Sequence, residues 1–318
     1  MKITLLEPLG IPQAVLSEYA AKLEKQGHSF FAYDSKTSDP AQLLERTGDS
    51  DIVVIANTPY PAAVIEQAPA LKMIDVAFTG IDHVGQDACR AKNVMICNAA
   101  GYSTQCVAEL ALGLAVACLR FVPLCDRTVR SGGTGAALRG REICGRTVGI
   151  VGTGAIGTAT AKLFLAFGAK VIAYSRTRRP EVESLGVEYV SLEELMERAD
   201  IVSVHTPNNA QTKGLISREM IARMKPTAIL LNVARGAIVD NGALADALNE
   251  GRVAAAGIDV FDMEPPIPED YPLLHARNTV LTPHVAFATE ESMLRRAEIV
   301  FANLDAYLAG RPENICKL

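Results

Sequence analysis

One stretch of the chain, Thr147 to Arg179, restricts the fold more than any other. It begins with a β-branched apolar run, Thr147–Val151, which predicts a buried parallel strand. Glycines at G-x-G-x-x-G spacing and a helical pattern follow, and Val171–Tyr174 predicts a second apolar strand. Strand, helix and strand within about 30 residues form a βαβ unit. The stretch therefore predicts an α/β fold built on a parallel sheet.

Three glycines of this unit, Gly152, Gly154 and Gly157, have separate physical roles. The first allows the tight turn out of the strand, the second lets the backbone approach a pyrophosphate, and the third lets the helix pack closely against the strand. The N-terminus of the helix, next to Ala155 and Ile156, offers N–H groups and a positive dipole end to phosphates. We therefore predict that this loop binds a dinucleotide.

The end of the second strand indicates which dinucleotide is bound. Sites for NAD usually place an Asp or Glu about 20 residues past the glycines, where its carboxylate accepts a hydrogen bond from the ribose 2′-OH. This chain has Ser175, Arg176 and Thr177 there, followed by Arg178 and Arg179. A hydroxyl and a guanidinium can bind a 2′-phosphate, and no carboxylate is present to repel it. We predict that NADP(H) is preferred and that NAD(H) can also serve; the alternative is a solvated basic turn.

The bulk properties of the chain exclude several classes of protein. Its 318 residues suggest two domains, and 49% hydrophobic and 21% charged residues are typical of a soluble globular protein. A net charge of -5 argues against nucleic-acid binding, and no apolar run is long enough to span a membrane. Seven cysteines without a C-x-x-C pair favour free thiols in the cytoplasm. The histidines are scattered, so we predict no metal site.

The first 98 residues alternate short apolar runs with helical patterns. This alternation predicts a second parallel sheet covered by helices. No G-x-G-x-x-G occurs here, so we predict a domain of the same class without a second dinucleotide site. The turn Phe78–His83 follows one of these strands, and it either holds a small carboxylate or simply begins a helix. The predicted strands are Ile3–Leu6, Phe30–Tyr33, Ile52–Ala56, Met73–Phe78 and Val94–Cys97.

A long helical pattern from about Thr104 to Arg120 is apolar on almost all sides. A helix of this kind has to be buried, and we expect it to lie between domains or subunits. The residues from Ser131 to Gly140 are rich in glycine and predict a loop before the dinucleotide unit.

Beyond that unit, three predicted strands each lead to a residue that can act on a substrate. Arg235 follows the first, Asp259 and Glu264 follow the second, and His284 follows the third. In a doubly wound sheet the carboxyl ends of the strands line one crevice, at the same edge as the glycines. Arg235 can bind a carboxylate and polarise a neighbouring 2-oxo group. The three strands are Ala228–Ala234, Val253–Val260 and Thr279–Thr282.

His284 and Glu264 complete the chemistry needed for hydride transfer between an alcohol and a ketone. His284 can give a proton to the substrate oxygen on reduction and remove it on oxidation. Glu264, if it contacts His284, fixes the tautomer of the imidazole and favours its protonated form. Each residue alone has a simpler explanation: a surface ion pair for Arg235, a structural role for His284 and solvation for Glu264. Their occurrence together after a dinucleotide fingerprint favours a dehydrogenase.

At these residues the chain resembles the D-isomer-specific 2-hydroxyacid dehydrogenases, along essentially its whole length. The resemblance implies a flavodoxin-like substrate domain, residues 1–98 and 288–318, split around a Rossmann cofactor domain of residues 99–287. It also implies a homodimer joined through the cofactor domain. The matching motifs are TGIDHVG (79–85), NAAGYSTQCVAEL (98–110), TVGIVGTGAIG (147–157), NVARGAIVD (232–240), AAGIDVFDMEP (255–265) and LTPHVAFAT (281–289).

The resemblance also assigns roles to single residues. It implies that Arg235, Glu264 and His284 are catalytic and that Asp259 holds the nicotinamide carboxamide. The other implied contacts are, for the cofactor, Thr104, His205, Thr206, Pro207, Val233, Ala234 and His284, and, for the substrate, Phe78, Thr79, Gly80 and Phe287.

The motifs leave the substrate open between branches of the family. Phe287 just past the histidine resembles the lactate-type branch, whereas TGIDHVG is similar to the glyoxylate and hydroxypyruvate reductases. After Pro207, this chain has Asn208 and Asn209 where many relatives carry Leu-Thr, so we assign no adenosine contacts to these two residues. The absence of a basic cluster outside the cofactor turn, and of a regulatory module after Leu318, speaks against the long phosphoglycerate dehydrogenases. The alternatives are a phosphoglycerate-type dehydrogenase and a non-catalytic, dinucleotide-sensing binding protein of the co-repressor type.

Overall fold

The structure of the chain, a computed structural model, describes residues 1–136, 138–264 and 266–318. Ala137, in the predicted glycine-rich loop, and Pro265, at the end of the motif AAGIDVFDMEP, lie outside the described residues. The chain divides into two compact units: Met1–Ser103 with Ala288–Leu318, and Thr104–Phe287. The first break falls after residue 103, whereas the sequence predicted it after residue 98.

Each unit contains one parallel sheet. The first sheet has the order β2-β1-β3-β4-β5, formed by β1 (Lys2–Leu5), β2 (Ser29–Ala32), β3 (Ile52–Ile55), β4 (Met73–Val76) and β5 (Met95–Asn98). The second has the order β12-β11-β10-β9-β6-β7-β8, formed by β6 (Thr147–Val151), β7 (Lys170–Tyr174), β8 (Glu188–Tyr189), β9 (Ile201–Val204), β10 (Ile229–Asn232), β11 (Ala255–Ile258) and β12 (Thr279–Leu281).

Helices alternate with these strands along most of the chain. They are α1 (Gln13–Lys25), α2 (Pro40–Thr47), α3 (Ala62–Glu66), α4 (Gln86–Lys92), α5 (Thr104–Leu119), α6 (Val122–Arg130), α7 (Ala155–Ala166), α8 (Pro180–Glu183), α9 (Leu192–Arg198), α10 (Arg218–Ala222), α11 (Asn241–Asn249), α12 (Pro272–His275) and α13 (Glu290–Leu308). Several ends are set by capping side chains. At α13, for example, Thr289 and Ser292 form a reciprocal capping box.

The strand orders confirm the predicted fold class. The first sheet has the flavodoxin-like order 2-1-3-4-5, and the second has the order 3-2-1-4-5-6 of a Rossmann sheet with one more strand after it. All residues of β3, β4, β9, β10 and β11 are buried, as expected for parallel strands covered on both faces. In the second sheet the order reverses between β6 and β9, the place where such sheets bind ligands.

Helix α5 packs against the sheet of the second unit. Half of its residues are buried, and all of these except Ala108 pack in one cluster with side chains of β6, β10 and β11. Gly257 on β11 allows this close approach, since a Cβ there would lie 2.9 Å from the Cβ of Leu114. The position of α5 between domains or subunits stays a prediction. The following helix, α6, was not predicted, and it exposes Val122 and Val129. Among the described residues no single helix is long and apolar enough to cross a membrane, and only α5 and α6 together, bent by 57°, have the required length and composition.

A buried carboxyl group in the first sheet makes stability depend on pH. Asp75 on β4 is fully buried; its Oδ1 accepts a 3.0 Å hydrogen bond from Asn303 Nδ2, and its Oδ2 has no hydrogen-bond partner in the described part of the chain. Burial raises the pKa of Asp75 from 3.8 to about 7. In the unfolded chain Asp75 ionises above about pH 4, while in the folded chain it stays protonated until about pH 7. The protein therefore loses stability as the pH rises through this window.

We predict that Asp75→Asn, which cannot ionise, becomes more stable relative to the native protein as the pH rises. The difference in free energy of unfolding should grow by at most about 4 kcal/mol between pH 4 and pH 8, the equivalent of a three-unit pKa shift. Urea unfolding of both proteins at several pH values measures this difference. A difference that stays constant with pH would contradict the shifted pKa.

Candidate active site

The register of the second sheet brings the ends of six strands into one row. Direct pairing links the strand residues Val151, Tyr174, Val204, Asn232, Ile258 and Leu281. The next residue of each strand therefore emerges at the same edge of the sheet, where backbone N–H groups of the loops are available. These next residues are Gly152, Ser175, His205, Val233, Asp259 and Thr282, and all except Thr282 are among the site residues predicted from sequence.

The glycine turn after β6 has room for a ligand at only one of its three glycines. Gly152 has a φ of +98°, and a Cβ there would lie 2.9 Å from the carbonyl oxygen of His205. A Cβ on Gly157 would lie 1.9 Å from the carbonyl oxygen of Gly152, so the start of α7 is pressed against the turn. A Cβ on Gly154 would meet nothing within 4 Å. Helix α7 begins at Ala155 with no side chain capping its N–H groups, so this turn fits a pyrophosphate.

Two buried polar atoms beside this turn also fit a bound dinucleotide. Within the described residues, His205 Nδ1 and Thr206 Oγ1 are shielded from water and have no hydrogen-bond partner. The other ring nitrogen, Nε2, lies 2.8 Å from Ser203 Oγ. Burial lowers the pKa of His205 to about 3, so its imidazole is neutral. Buried polar atoms of native proteins are nearly always satisfied, so these two atoms are suited to contact a polar ligand.

The basic residues after β7 differ in their partners. Arg178 and Arg179 each pair with a nearby carboxylate, Glu183 at 2.9 Å and Glu181 at 3.4 Å. Arg176 instead donates from Nη1 to the neutral side-chain oxygen of Gln211, at 2.8 Å. The positive charge of Arg176 is therefore not neutralised by that contact, and it lies just past the end of β7.

Asp259 organises the turn that carries His284. Its carboxylate is fully buried and accepts hydrogen bonds from Thr282 Oγ1 at 2.6 Å, Val285 N at 2.9 Å and Ala286 N at 2.9 Å. Its backbone oxygen accepts a fourth from His284 N at 2.8 Å. Burial raises the pKa of Asp259, and these hydrogen bonds oppose that rise. The sequence pointed to a cofactor contact for Asp259 and did not reveal this contact with residues 282–286.

His284 and Glu264 are in direct contact. Both carboxylate oxygens of Glu264 lie 2.9 Å from His284 Nδ1. The histidine side chain is 10% exposed and the glutamate side chain 48%, so one end of the pair is shielded and the other faces water. The imidazole also meets the ring of Phe287 edge-on, with 5.4 Å between ring centroids. His284 has a φ of +56°, an uncommon value for a residue other than glycine and one often found at functional sites.

Arg235 lies at the same edge and is held by a residue that sequence reasoning missed. The fully buried Asn232 donates from Nδ2 to the backbone oxygen of Arg235 at 2.9 Å, and its Oδ1 accepts from Ala234 N at 3.1 Å. The guanidinium donates from Nη1 to the oxygen of Ala234 at 2.9 Å. A polar residue at the end of an otherwise apolar strand was the signal that could have identified Asn232.

The predicted substrate residues Phe78, Thr79 and Gly80 lie on the other unit, just past the end of β4. Phe78 is 5% exposed and packs against Tyr102, with 5.9 Å between ring centroids. Thr79 is exposed, and its backbone oxygen accepts a 2.8 Å hydrogen bond from Asn98 Nδ2. Thr104 is the first residue of α5. No cluster of three or more metal-binding side chains occurs in residues 1–136, 138–264 and 266–318.

Comparison with known proteins identifies the family. The model of the "D-isomer specific 2-hydroxyacid dehydrogenase, NAD binding domain" matches residues 112–286. The chain belongs to this family. It is an NAD(P)-dependent oxidoreductase that acts on 2-oxo or 2-hydroxy acids. The predictions of fold class, family and reaction class are therefore confirmed.

The dehydrogenase is similar to several reductases over nearly its full length. It is 35% identical to a hydroxypyruvate reductase of Blautia hydrogenotrophica, covering 92% of this chain and 93% of that one. It is 39% identical to a glyoxylate reductase of Korarchaeum cryptofilum, covering 96% and 93%. A solved acyclic imino acid reductase, in complex with NADPH and D-Arg, has a TM-score of 0.90 at 28% identity and full coverage of both chains. D-3-phosphoglycerate dehydrogenases also match, but the chain spans about half of their length.

Proposed function

We propose that this dehydrogenase reduces a small, unphosphorylated 2-oxo acid of the glyoxylate or hydroxypyruvate class, with Arg235, Glu264 and His284 as its catalytic residues. The observation that carries the proposal is the contact between His284 and Glu264 at the sheet edge where Arg235 also emerges. The full-length similarity to a hydroxypyruvate reductase and a glyoxylate reductase supports the substrate class.

The proposed chemistry follows from the three side chains. Arg235 binds the substrate carboxylate through its planar fork and polarises the adjacent carbonyl. His284 Nε2 donates a proton to the carbonyl oxygen in reduction and removes it in oxidation, because Nδ1 is engaged by Glu264. The nicotinamide supplies or accepts the hydride when the coenzyme is bound. Glu264 holds the imidazole in one orientation through its contact with Nδ1, which leaves Nε2 for the substrate.

We infer that the coenzyme is NADP(H) in preference to NAD(H). The support is the charge of Arg176, which has a neutral partner, together with the hydroxyl of Ser175 at the end of β7. A carboxylate at this position would accept a hydrogen bond from the ribose hydroxyl of NAD and would repel a 2′-phosphate. The structurally similar imino acid reductase binds NADPH, which agrees with this inference.

Replacing Ser175 and Arg176 should reverse the coenzyme preference. We predict that Ser175→Asp combined with Arg176→Ala lowers kcat/KM with NADPH by about 10²-fold or more, since charge-assisted contacts to the phosphate are lost and a repulsive carboxylate is added. Initial rates with NADPH and NADH measure the change. Arg178→Ala is the matched control, because that arginine is already paired with Glu183. An unchanged ratio in the double variant, or an equal change in the control, would remove the proposed phosphate contact.

A panel of substrates tests the proposed reaction. Reduction of glyoxylate, hydroxypyruvate, pyruvate, 2-oxoisocaproate and phenylpyruvate is compared with that of phosphohydroxypyruvate, each with both coenzymes. The proposal expects the highest kcat/KM with glyoxylate or hydroxypyruvate. A higher value with the phosphorylated acid would favour the second candidate function, that of a phosphoglycerate-type dehydrogenase. The observation in favour of this candidate is the match to such enzymes over about half of their length. Coenzyme binding without turnover on any acid would favour a binding protein.

We further propose a cytoplasmic homodimer joined through the second unit. Seven free cysteines support a reducing compartment. Helices α5 and α6 line an open cavity of about 570 Å³, and the apolar side chains of Val122 and Val129 are 48% and 72% exposed there. Exposed apolar patches of this kind commonly mark interfaces. Analytical ultracentrifugation that finds a monomer at micromolar concentration would contradict the dimer.

A further inference from the structure

The loop that carries Glu264 is exposed but is held firmly at one residue. Met263 is 42% exposed and the side chain of Glu264 48%, so neither is anchored by burial. Asp262, next to them, uses both of its carboxylate oxygens. Oδ1 accepts a hydrogen bond from Asn241 Nδ2 at 2.9 Å, and Oδ2 accepts one from the hydroxyl of Tyr271 at 2.8 Å.

Both donors are buried side chains of the second unit. Asn241 is the first residue of α11 and is 4% exposed, and Tyr271, which precedes α12, is 7% exposed. The ring of Tyr271 also meets Phe261 edge-on, with 5.6 Å between centroids. Burial raises the pKa of the Tyr271 hydroxyl, and the Asp262 hydrogen bond raises it further, so the hydroxyl remains a donor at every pH of interest. Asp262 therefore fixes the start of the exposed loop to two buried side chains.

The same network reaches the turn after Arg235. Asn241 Nδ2 also donates to the backbone oxygen of Gly236, at 3.2 Å. The backbone of Gly236 is in close contact with the loop, since a Cβ there would lie 1.9 Å from the oxygen of Phe261 and 2.6 Å from the nitrogen of Asp262. One asparagine thus ties the residue after Arg235 to a residue two positions before Glu264.

We propose that Asp262 is a positioning residue, which with Asn241 and Tyr271 holds the Glu264 loop against the Arg235 turn so that Glu264 contacts His284. The inference rests on the proposed catalytic roles of these three residues. Asp262 does not touch His284 in this arrangement; it acts through Glu264, whose carboxylate lies 2.9 Å from the imidazole. A catalytic geometry of this kind loses efficiency when the supporting contacts are removed, because the acid–base group then samples other positions.

The experiment is a double-mutant cycle between Asp262 and Glu264, with reduction of the best 2-oxo acid of the panel as readout. Asp262→Ala should lower kcat about tenfold in the native background and by less than twofold in the Glu264→Gln background, because residues acting as one unit are not additive. Coenzyme affinity should change by less than about twofold.

Two further variants separate positioning from folding. Asp262→Asn keeps an acceptor for Asn241 and an amide that can donate to the Tyr271 oxygen, so its kcat should stay within about twofold of the native value. Asp246→Ala removes a carboxylate from α11 that forms an ion pair with exposed Arg218, and it serves as the control without effect on rate. If Asp262→Ala fails to fold, Tyr271→Phe, which removes one of the two hydrogen bonds, takes its place in the cycle.

The outcomes distinguish this inference from the proposed function. Losses that multiply between Asp262 and Glu264 would overturn the positioning role while leaving the catalytic assignment intact. A Glu264→Gln variant with native kcat would overturn the catalytic assignment, and the positioning role with it. Non-additive losses together with rescue by Asp262→Asn would establish the proposal.

Discussion

Replacing His284 by Ala is expected to lower kcat by about 10²–10⁴-fold, the usual contribution of a general acid–base group. The physical reason is that the variant has no group at this position to give a proton to the carbonyl oxygen. Coenzyme affinity should fall far less than kcat. The resemblance implies a cofactor contact for His284 itself, but the glycine turn and the end of β7 that we assign to the coenzyme lie on other strands of the sheet. Steady-state kinetics together with coenzyme titration by fluorescence measure the two effects separately.

His275→Ala is a matched control for that experiment. His275 is exposed at the end of α12, and its Nε2 lies 2.5 Å from the backbone oxygen of Glu269. The control should retain native kcat. Equal losses of kcat and of coenzyme affinity in His284→Ala would show that the residue is structural, since its backbone also takes part in the turn held by Asp259.

Replacing Arg235 by Ala is expected to lower kcat/KM for the 2-oxo acid by about 10²–10⁴-fold. Two hydrogen bonds to a charged group, each worth about 1.5–3 kcal/mol, would be lost. Arg235→Lys should recover only part of the loss, because the ammonium keeps the charge but cannot make the planar, two-pronged contact with a carboxylate. KM should rise because the carboxylate contact is already made in the bound substrate, and kcat should fall because Arg235 polarises the carbonyl most strongly in the transition state.

The control for Arg235 is Arg252→Ala, which removes an exposed guanidinium paired with Glu250 in the same unit. Its kinetics should be native, because exposed ion pairs contribute little. If Arg235→Lys were as active as the native enzyme, a point charge would suffice at this position. The proposed two-pronged contact with the substrate would then be wrong.

Local patterns in the sequence were enough to place most of the proposed site residues of the second unit at the ends of strands. The end of a strand can be recognised in the sequence because an apolar run stops at a polar residue or a glycine. This pattern pointed to Gly152, Ser175, Asp259 and the surroundings of Arg235. The long apolar helix was also located closely: it was predicted from about Thr104 to Arg120, and α5 runs from Thr104 to Leu119. The amphipathic helix α6 was not predicted. Pro123 near its start is typical of the end of a helix, although proline is also tolerated in the first turn.

Fold class and the order of functional residues along the chain were therefore determined by the sequence itself. Hydrophobic periodicity and glycine spacing are properties of short segments, and they constrain the backbone before any distant contact forms. Which side chains form hydrogen bonds with one another was decided only by the tertiary structure. Asp259 meets Thr282, and Asp262 meets Asn241, across separations of about 20 residues that no local pattern records. The packing of Phe78 against Tyr102 was likewise decided by the tertiary structure, because burial depends on which side chains the completed sheet brings together.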